Sequence, residues 1–222
     1  MKNFAIAIDG PAGAGKSTVA KAVAREMGAN YLDTGAMYRA FGLYMLRCAV
    51  DINDMEVVAA RAGEPDVRVK YEEGKQITCL GEEDVSKEIR EEMCSKAASA
   101  ISRVASVRER LVTLQQQIAE GTKLVMDGRD IGTHVLPNAA VKIFLTASAE
   151  VRAKRRYDEL IAKGQEADYD KVLADIIARD YQDTHREASP LVKAEDAVEV
   201  DTSSMSIEEV IASIVKIARA AV

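Results

Sequence analysis

Eight consecutive residues, Gly10-Pro11-Ala12-Gly13-Ala14-Gly15-Lys16-Ser17, fit the pattern G-x-x-x-x-G-K-[ST], and Thr18 follows them. These residue types suit one task, which is to hold a chain of phosphates. Glycines at 13 and 15 let the backbone turn tightly and aim N–H groups at oxyanions. A helix that starts directly afterwards presents its positive dipole end to the same oxygens. Lys16 adds a mobile point charge for the β- and γ-phosphates, and the Ser17 hydroxyl offers an oxygen to Mg²⁺. The string reads as a nucleoside triphosphate site.

A phosphate loop does not by itself distinguish a kinase from a switch or a motor. GTPases read guanine with an N-K-x-D segment after a strand, and this chain has none. It is also short for a motor. The arginines outside the loop carry more information. Arg39 follows Leu32-Asp33-Thr34-Gly35-Ala36-Met37-Tyr38, and Arg129 follows Asp127-Gly128. Both lie just past the ends of strand-like runs, where parallel α/β folds bind ligands. Arg152, Arg155 and Arg156 fall in one helical stretch, and Arg179 and Arg186 in the next. For Arg152 and Lys154 a solvated helix face is as good a reading. A phosphoryl-transfer transition state spreads charge over three equatorial oxygens, so it needs several cations and dry surroundings but little covalent help. The arginine-rich helix pair therefore reads as a lid closing over ATP.

The elements that would position these groups follow from periodicity. Short apolar runs at Phe4–Ile8, Asn30–Asp33, Leu124–Asp127, Val141–Leu145 and Val198–Asp201 read as buried parallel strands. Helical spacing marks Ser17–Met27, with Gly28 as its C-terminal cap, and Ala36–Cys48. Glu88–Glu120 reads as helix in more than one piece. A helix capped by Ser148 ends near Gly164, and another covers Asp168–Thr184. Ser206 and Glu209 form a capping box for a last helix carrying Ile207, Val210, Ile211, Ile214 and Ile217. Alternation of strand and helix argues for an α/β fold, a parallel sheet covered on both faces. Val67-Arg68-Val69 and Gln76–Leu80, joined through Glu72-Glu73-Gly74-Lys75, break that rhythm as a hairpin and read as an insert.

Bulk properties bound the answer. The 222 residues suffice for one large domain, or one domain with a smaller insert. A formal net charge of -6 argues against coating nucleic acid, which needs a strongly basic face, but allows a local basic pocket. No apolar run approaches the roughly 18 residues of a membrane span, and Met1-Lys2-Asn3-Phe4 has no signal-peptide pattern. Cys48, Cys79 and Cys94 form no C-x-x-C and read as reduced cytosolic thiols, mostly small apolar core residues, with a metal or catalytic role as the minor reading. His134 and His185 have no metal-ligand spacing and read as surface or hydrogen-bonded side chains.

Four segments together resemble the bacterial cytidylate kinases: Asp9–Thr18, Tyr31–Arg39, Asp127-Gly128-Arg129-Asp130-Ile131-Gly132-Thr133 and Val141–Leu145. The second and third segments are the specific ones. The resemblance implies a P-loop nucleoside-monophosphate-kinase fold: a five-stranded parallel sheet, a monophosphate-binding insert with a small antiparallel sheet, and a helical lid. It places the insert at about 61–99, the lid at about 151–187 and the core at 1–60, 100–150 and 188–222 of a single kinase domain. It implies transfer of the γ-phosphoryl group of ATP to CMP or dCMP with Mg²⁺, in a cytoplasmic monomer without nucleic-acid or membrane partners. By matching segment, Arg39, Arg129 and Arg186 hold the acceptor phosphate. Ser99, Arg108 and Asp130 read cytosine, Arg179 and Asp183 hold the sugar side, and Thr34 and Tyr38 lie close to the nucleotide. Lys16, Arg129, Arg155 and Arg186 are the candidate catalytic groups, with Arg155 and Arg156 facing ATP. Ser17 and Asp127 are the candidate metal ligands, although Asp127 could equally serve only to order the Arg129 loop. The chemistry is consistent: a carboxylate accepts from the cytosine amine and a guanidinium donates to N3 and O2, a pattern that uracil reverses in part. A P-loop kinase for another monophosphate or a small metabolite remains the alternative, and a nucleotide-dependent switch the reading from another class.

Overall fold

The computed structural model describes residues 3–222. Among these residues eight α-helices and eight strands follow one another: β1 (Ala5–Asp9), α1 (Lys16–Met27), β2 (Asn30–Asp33), α2 (Thr34–Arg47), α3 (Met55–Ala60), β3 (Val67–Glu72), β4 (Lys75–Leu80), β5 (Glu83–Asp84), α4 (Glu92–Ile101), α5 (Ala105–Ala119), β6 (Leu124–Gly128), β7 (Val141–Thr146), α6 (Ala149–Ala162), α7 (Tyr169–His185), β8 (Val198–Asp201) and α8 (Ile207–Ala221). The strands form a five-stranded sheet in the order β2-β6-β1-β7-β8 and a three-stranded sheet in the order β3-β4-β5. This is the expected α/β class with its separate small sheet.

The chain divides into two compact units, residues 1–29 with 123–222, and residues 30–122. In the first unit β1 lies between β6 and β7, parallel to both, and β7 pairs parallel with β8. Ile6, Ala7 and Ile8 of β1 and Leu124, Val125 and Met126 of β6 are completely buried. That explains their unbroken apolar runs, since a parallel strand covered on both faces has no polar side to alternate with. The carboxyl ends are different, because β1 ends on Asp9 and Asp127 is the penultimate residue of β6. Ser148 caps α6 by accepting from the Val151 amide, and Ser206 with Glu209 forms the expected capping box of α8. A wide turn of π type at Ile131–Val135 follows β6 after Arg129 and Asp130. Among the described residues, no helix is long and apolar enough to cross a membrane.

In the second unit, β3 and β4 pair antiparallel from Val67↔Leu80 to Glu72↔Lys75, with the tight turn at Glu73-Gly74 where the hairpin was expected. β5 adds two residues to β4. The stretch 88–120 resolves into a 3₁₀ turn at Glu88–Arg90, then α4 and α5. Gly42 of α2 faces α4 so closely that a Cβ there would stand 2.8 Å from the Ala97 Cβ. Helix α3 has only six residues, too few to show a periodicity, and is started by the Asp54 side chain, which accepts from the Val57 amide. Cys79 and Cys94 are buried as expected and Cys48 is exposed.

Candidate active site

The phosphate loop begins with a glycine that no other residue could replace. Gly10 has φ +148, and a Cβ there would stand 1.9 Å from the Leu145 carbonyl oxygen. Gly15 immediately precedes α1 in a left-handed conformation and gives the helix no side-chain cap. The first-turn N–H groups of α1 are thus left for an anion. Lys16 is buried, and its Nζ donates to the Pro11 carbonyl at 2.7 Å. Burial and the nearby Arg129 guanidinium hold its ammonium well below the ordinary lysine range, against the carboxylates of Asp127 and Asp183. An anion placed beside Lys16 would reverse this balance.

Ser17 Oγ donates to Asp127 Oδ2 at 2.9 Å. A hydroxyl beside a carboxylate at the mouth of a phosphate loop is a hard-oxygen pair that suits Mg²⁺, which keeps several of its own waters. Among the described residues, no group of three or more His, Cys, Asp or Glu side chains is placed to hold a metal ion.

Behind Asp127 lies a network of arginines and aspartates. Arg129 Nε donates to Asp183 Oδ2 at 2.7 Å, and Arg186 stands 3.6 Å from Asp130. Asp183, Asp130 and Arg186 are all buried. Burial works to raise the Asp183 carboxyl, but Arg129, Arg179 and Arg186 outweigh it and hold it below the usual range. Asp183 is thereby held in its carboxylate form among these arginines. Arg152 is no solvated helix residue: it is 4% exposed and binds Asp180 through two bonds of 3.0 and 2.6 Å, tying α6 to α7. It also donates to the Ala12 carbonyl of the phosphate loop at 3.0 Å. Lys154 does face solvent, paired with Asp158. Arg155 donates to the hydroxyl and carbonyl of Thr202 at 3.1 and 2.7 Å. It lines a cavity of about 450 Å³ with Gly13, Gly15, Thr18, Arg156 and Val210.

In the second unit Arg39, one of the expected residues, is held by Asp33. The Asp33 Oδ1 accepts from the Ala36 amide at 2.9 Å and so caps α2, while its Oδ2 accepts from Arg39 at 2.9 Å and Arg90 at 3.2 Å. Arg39 Nε is buried without a hydrogen-bond partner. Gln76 of β4 accepts from the Asp33 amide at 2.7 Å and donates to its carbonyl at 3.3 Å. Arg108 is buried, and its guanidinium lies 5.7 Å from the centre of the Tyr38 ring. Thr34 is buried at the start of α2, and Ser99 is half-buried on α4.

A family model for cytidylate kinase matches residues 6–220. The chain belongs to the cytidylate kinase family. Cytidylate kinase from Caldicellulosiruptor bescii is 49% identical over 217 residues, covering 98% of this chain and 96% of that one. Cytidylate kinase from Streptococcus pneumoniae (strain 70585) is 49% identical over 215 residues, 96% of each chain. Among solved structures, a gluconokinase from Sinorhizobium meliloti aligns with a TM-score of 0.51 at 15% identity, over 99% of this chain and 95% of that one. Shikimate kinase from Bacteroides thetaiotaomicron gives 0.50 at 15%, over 97% and 98%. At such identities the likeness is one of fold. For a cytidylate kinase family member, the sequence reading passed over Asp9, Asp33, Gln76, Arg90, Asp180 and Thr202. A signal existed for three of them: Asp9, Asp33 and Thr202 each end a strand or follow its last residue, at the edge where α/β sheets bind ligands.

Proposed function

We propose that this chain transfers the γ-phosphoryl group of ATP to CMP or dCMP, giving ADP with CDP or dCDP. The observation that carries the reading is the match to the cytidylate kinase family from residue 6 to residue 220, with the phosphate loop intact within it. Residues 10–18 cradle the ATP phosphates, and Lys16 follows the migrating charge. Ser17 and Asp127 would hold Mg²⁺, which when bound supplies charge neutralisation at the β- and γ-oxygens. Arg39, Arg129 and Arg186 bind the acceptor phosphate, and Arg155 faces the donor. Asp130 accepts from the cytosine amine, while Arg108 and Ser99 donate to the ring acceptors. Arg179 and Asp183 hold the sugar, with Thr34 and Tyr38 beside the nucleotide. In this reading residues 61–99 form the acceptor-binding insert and 151–187 the lid, and the enzyme works as a cytoplasmic monomer. No general base is required, because a phosphate acceptor is already an anion at neutral pH and in-line positioning suffices.

A coupled ADP-release assay with CMP, dCMP, UMP, AMP, GMP and dTMP tests the reading. Preference for CMP and dCMP is expected. Preference for UMP or AMP would replace it with another monophosphate kinase, and ATP turnover independent of any acceptor would replace it with a switch.

A further inference from the structure

We infer that Asp9, the last residue of β1, is a positioning residue for the acceptor side of the site, an inference that rests on the function proposed above. Asp9 is 5% exposed, and its carboxylate is fully committed: Oδ1 accepts from the Ile131 amide at 2.8 Å and Oδ2 from the Gly132 amide at 2.7 Å. Its backbone is fixed as well, in register with Gly128 on one side and Phe144 on the other. Asp9 therefore grips the chain twice. Its backbone register holds Gly128, and its carboxylate holds Ile131 and Gly132. Between those points lie only Arg129 and Asp130, one proposed for the acceptor phosphate and the other for cytosine. A two-residue span clamped at both ends by one residue has little freedom to mis-aim its side chains. This is what a site demanding placement within about 0.5 Å requires.

The chemistry at position 9 is narrow. Two converging N–H donors need two acceptor oxygens, which a carboxylate offers and an amide does not. An asparagine side chain in its place would turn either its NH₂ group or a single shared oxygen toward two donors. The other side of the contact is equally tight, since a Cβ on Gly132 would stand 3.4 Å from Asp9 Oδ2 and 3.1 Å from the Lys142 Cδ. Both amides that Asp9 accepts from lie outside residues 10–18, which separates its role from that of the residues that follow it.

The test uses two variants of the full chain, D9N and G132A, assayed after the wild type has been shown to phosphorylate CMP; failure at that first step would sink the proposed function and not this inference. For D9N the KM for CMP should rise about tenfold, the worth of one charge-assisted hydrogen bond. The KM for ATP should move less than about twofold, and the preference for CMP over UMP should shrink because Asp130 loses its aim. G132A should show the same pattern at about a third of the size. An unchanged KM for CMP, or equal rises in both KM values, overturns the inference. If circular dichroism shows D9N to be unfolded, G132A decides alone, with the same two overturning outcomes.

Discussion

The two compact units anchor their cations in different ways. In residues 1–29 and 123–222, three arginines hydrogen-bond to three different residues, Arg129 to Asp183, Arg152 to Asp180 and Arg155 to Thr202, although Arg179 and Arg186 also act on the Asp183 carboxylate. In residues 30–122, Arg39 and Arg90 share the single carboxylate of Asp33, which also caps α2. Distributed anchoring tolerates the loss of one member, because the others keep the field and the geometry. Shared anchoring concentrates both in one residue and leaves a surplus of positive charge around it, which suits a place where an anion arrives and departs.

The comparison can be broken most directly in the first unit at Lys16, the one group there whose charge nothing duplicates in the phosphate loop. Lys16→Ala should lower kcat by a factor on the order of 10³ or more with the circular dichroism unchanged. Near-normal turnover would show that the arginines alone suffice. The next effect in size is thermodynamic. Burial pushes the Asp9 carboxyl up from 3.8 to about 6, against the Ile131 and Gly132 amides. A folded-state pKa above the unfolded one means that Asp9 contributes stability that is complete below about pH 4 and lost as pH rises through about 6. The shift of roughly two units corresponds to about 3 kcal/mol. The difference in unfolding free energy between wild type and Asp9→Asn, measured in urea at several pH values, should change by that order between pH 4 and 7 and be flat above it. A flat difference throughout would contradict it.

The second unit offers a sharper probe at Asp33. Asp33→Asn keeps an oxygen for the Ala36 amide but removes the charge that Arg39 and Arg90 share. The KM for CMP should rise about tenfold, as expected for a lost charge-assisted contact, with the KM for ATP unchanged. If shared anchoring is no weaker than distributed anchoring, the effect will be no larger than that of removing one carboxylate such as Asp180 in the first unit.

The same contrast explains what could be read before the structure. The phosphate loop is contiguous and its chemistry is in the backbone, so eight residues disclose it. The parallel strands were equally legible, because burial on both faces leaves a plain apolar run. The Asp33 cluster was not. Its parts come from β2, α2, β4 and a 3₁₀ turn, and nothing in the local sequence says that Gln76 will reach the Asp33 backbone or that Arg90 will reach its carboxylate. Arg152 was ambiguous for the same reason, since helical spacing alone does not say which face is covered. Asp9 was visible at the end of a strand and within a motif, but its role was not, because the two amides that it accepts from lie more than 120 residues away.

The smallest effect is expected at a group that carries chemistry in principle and lacks the wiring. His185 sits at the end of α7, close in sequence to Asp183 and Arg186, and is the only histidine in that helix. It is exposed, its Nδ1 lies 3.0 Å from the Tyr181 carbonyl, and its ring stacks on Tyr181 with centroids 3.9 Å apart. These contacts stay within one helix and reach none of the buried carboxylates. A phosphate acceptor needs no proton removed before it attacks. His185→Ala should therefore leave kcat and both KM values within about twofold of wild type across pH 6–8. A fall beyond a hundredfold would mean that proton transfer limits the step, and that nearness to the buried network, rather than membership of it, is what gives a residue its role.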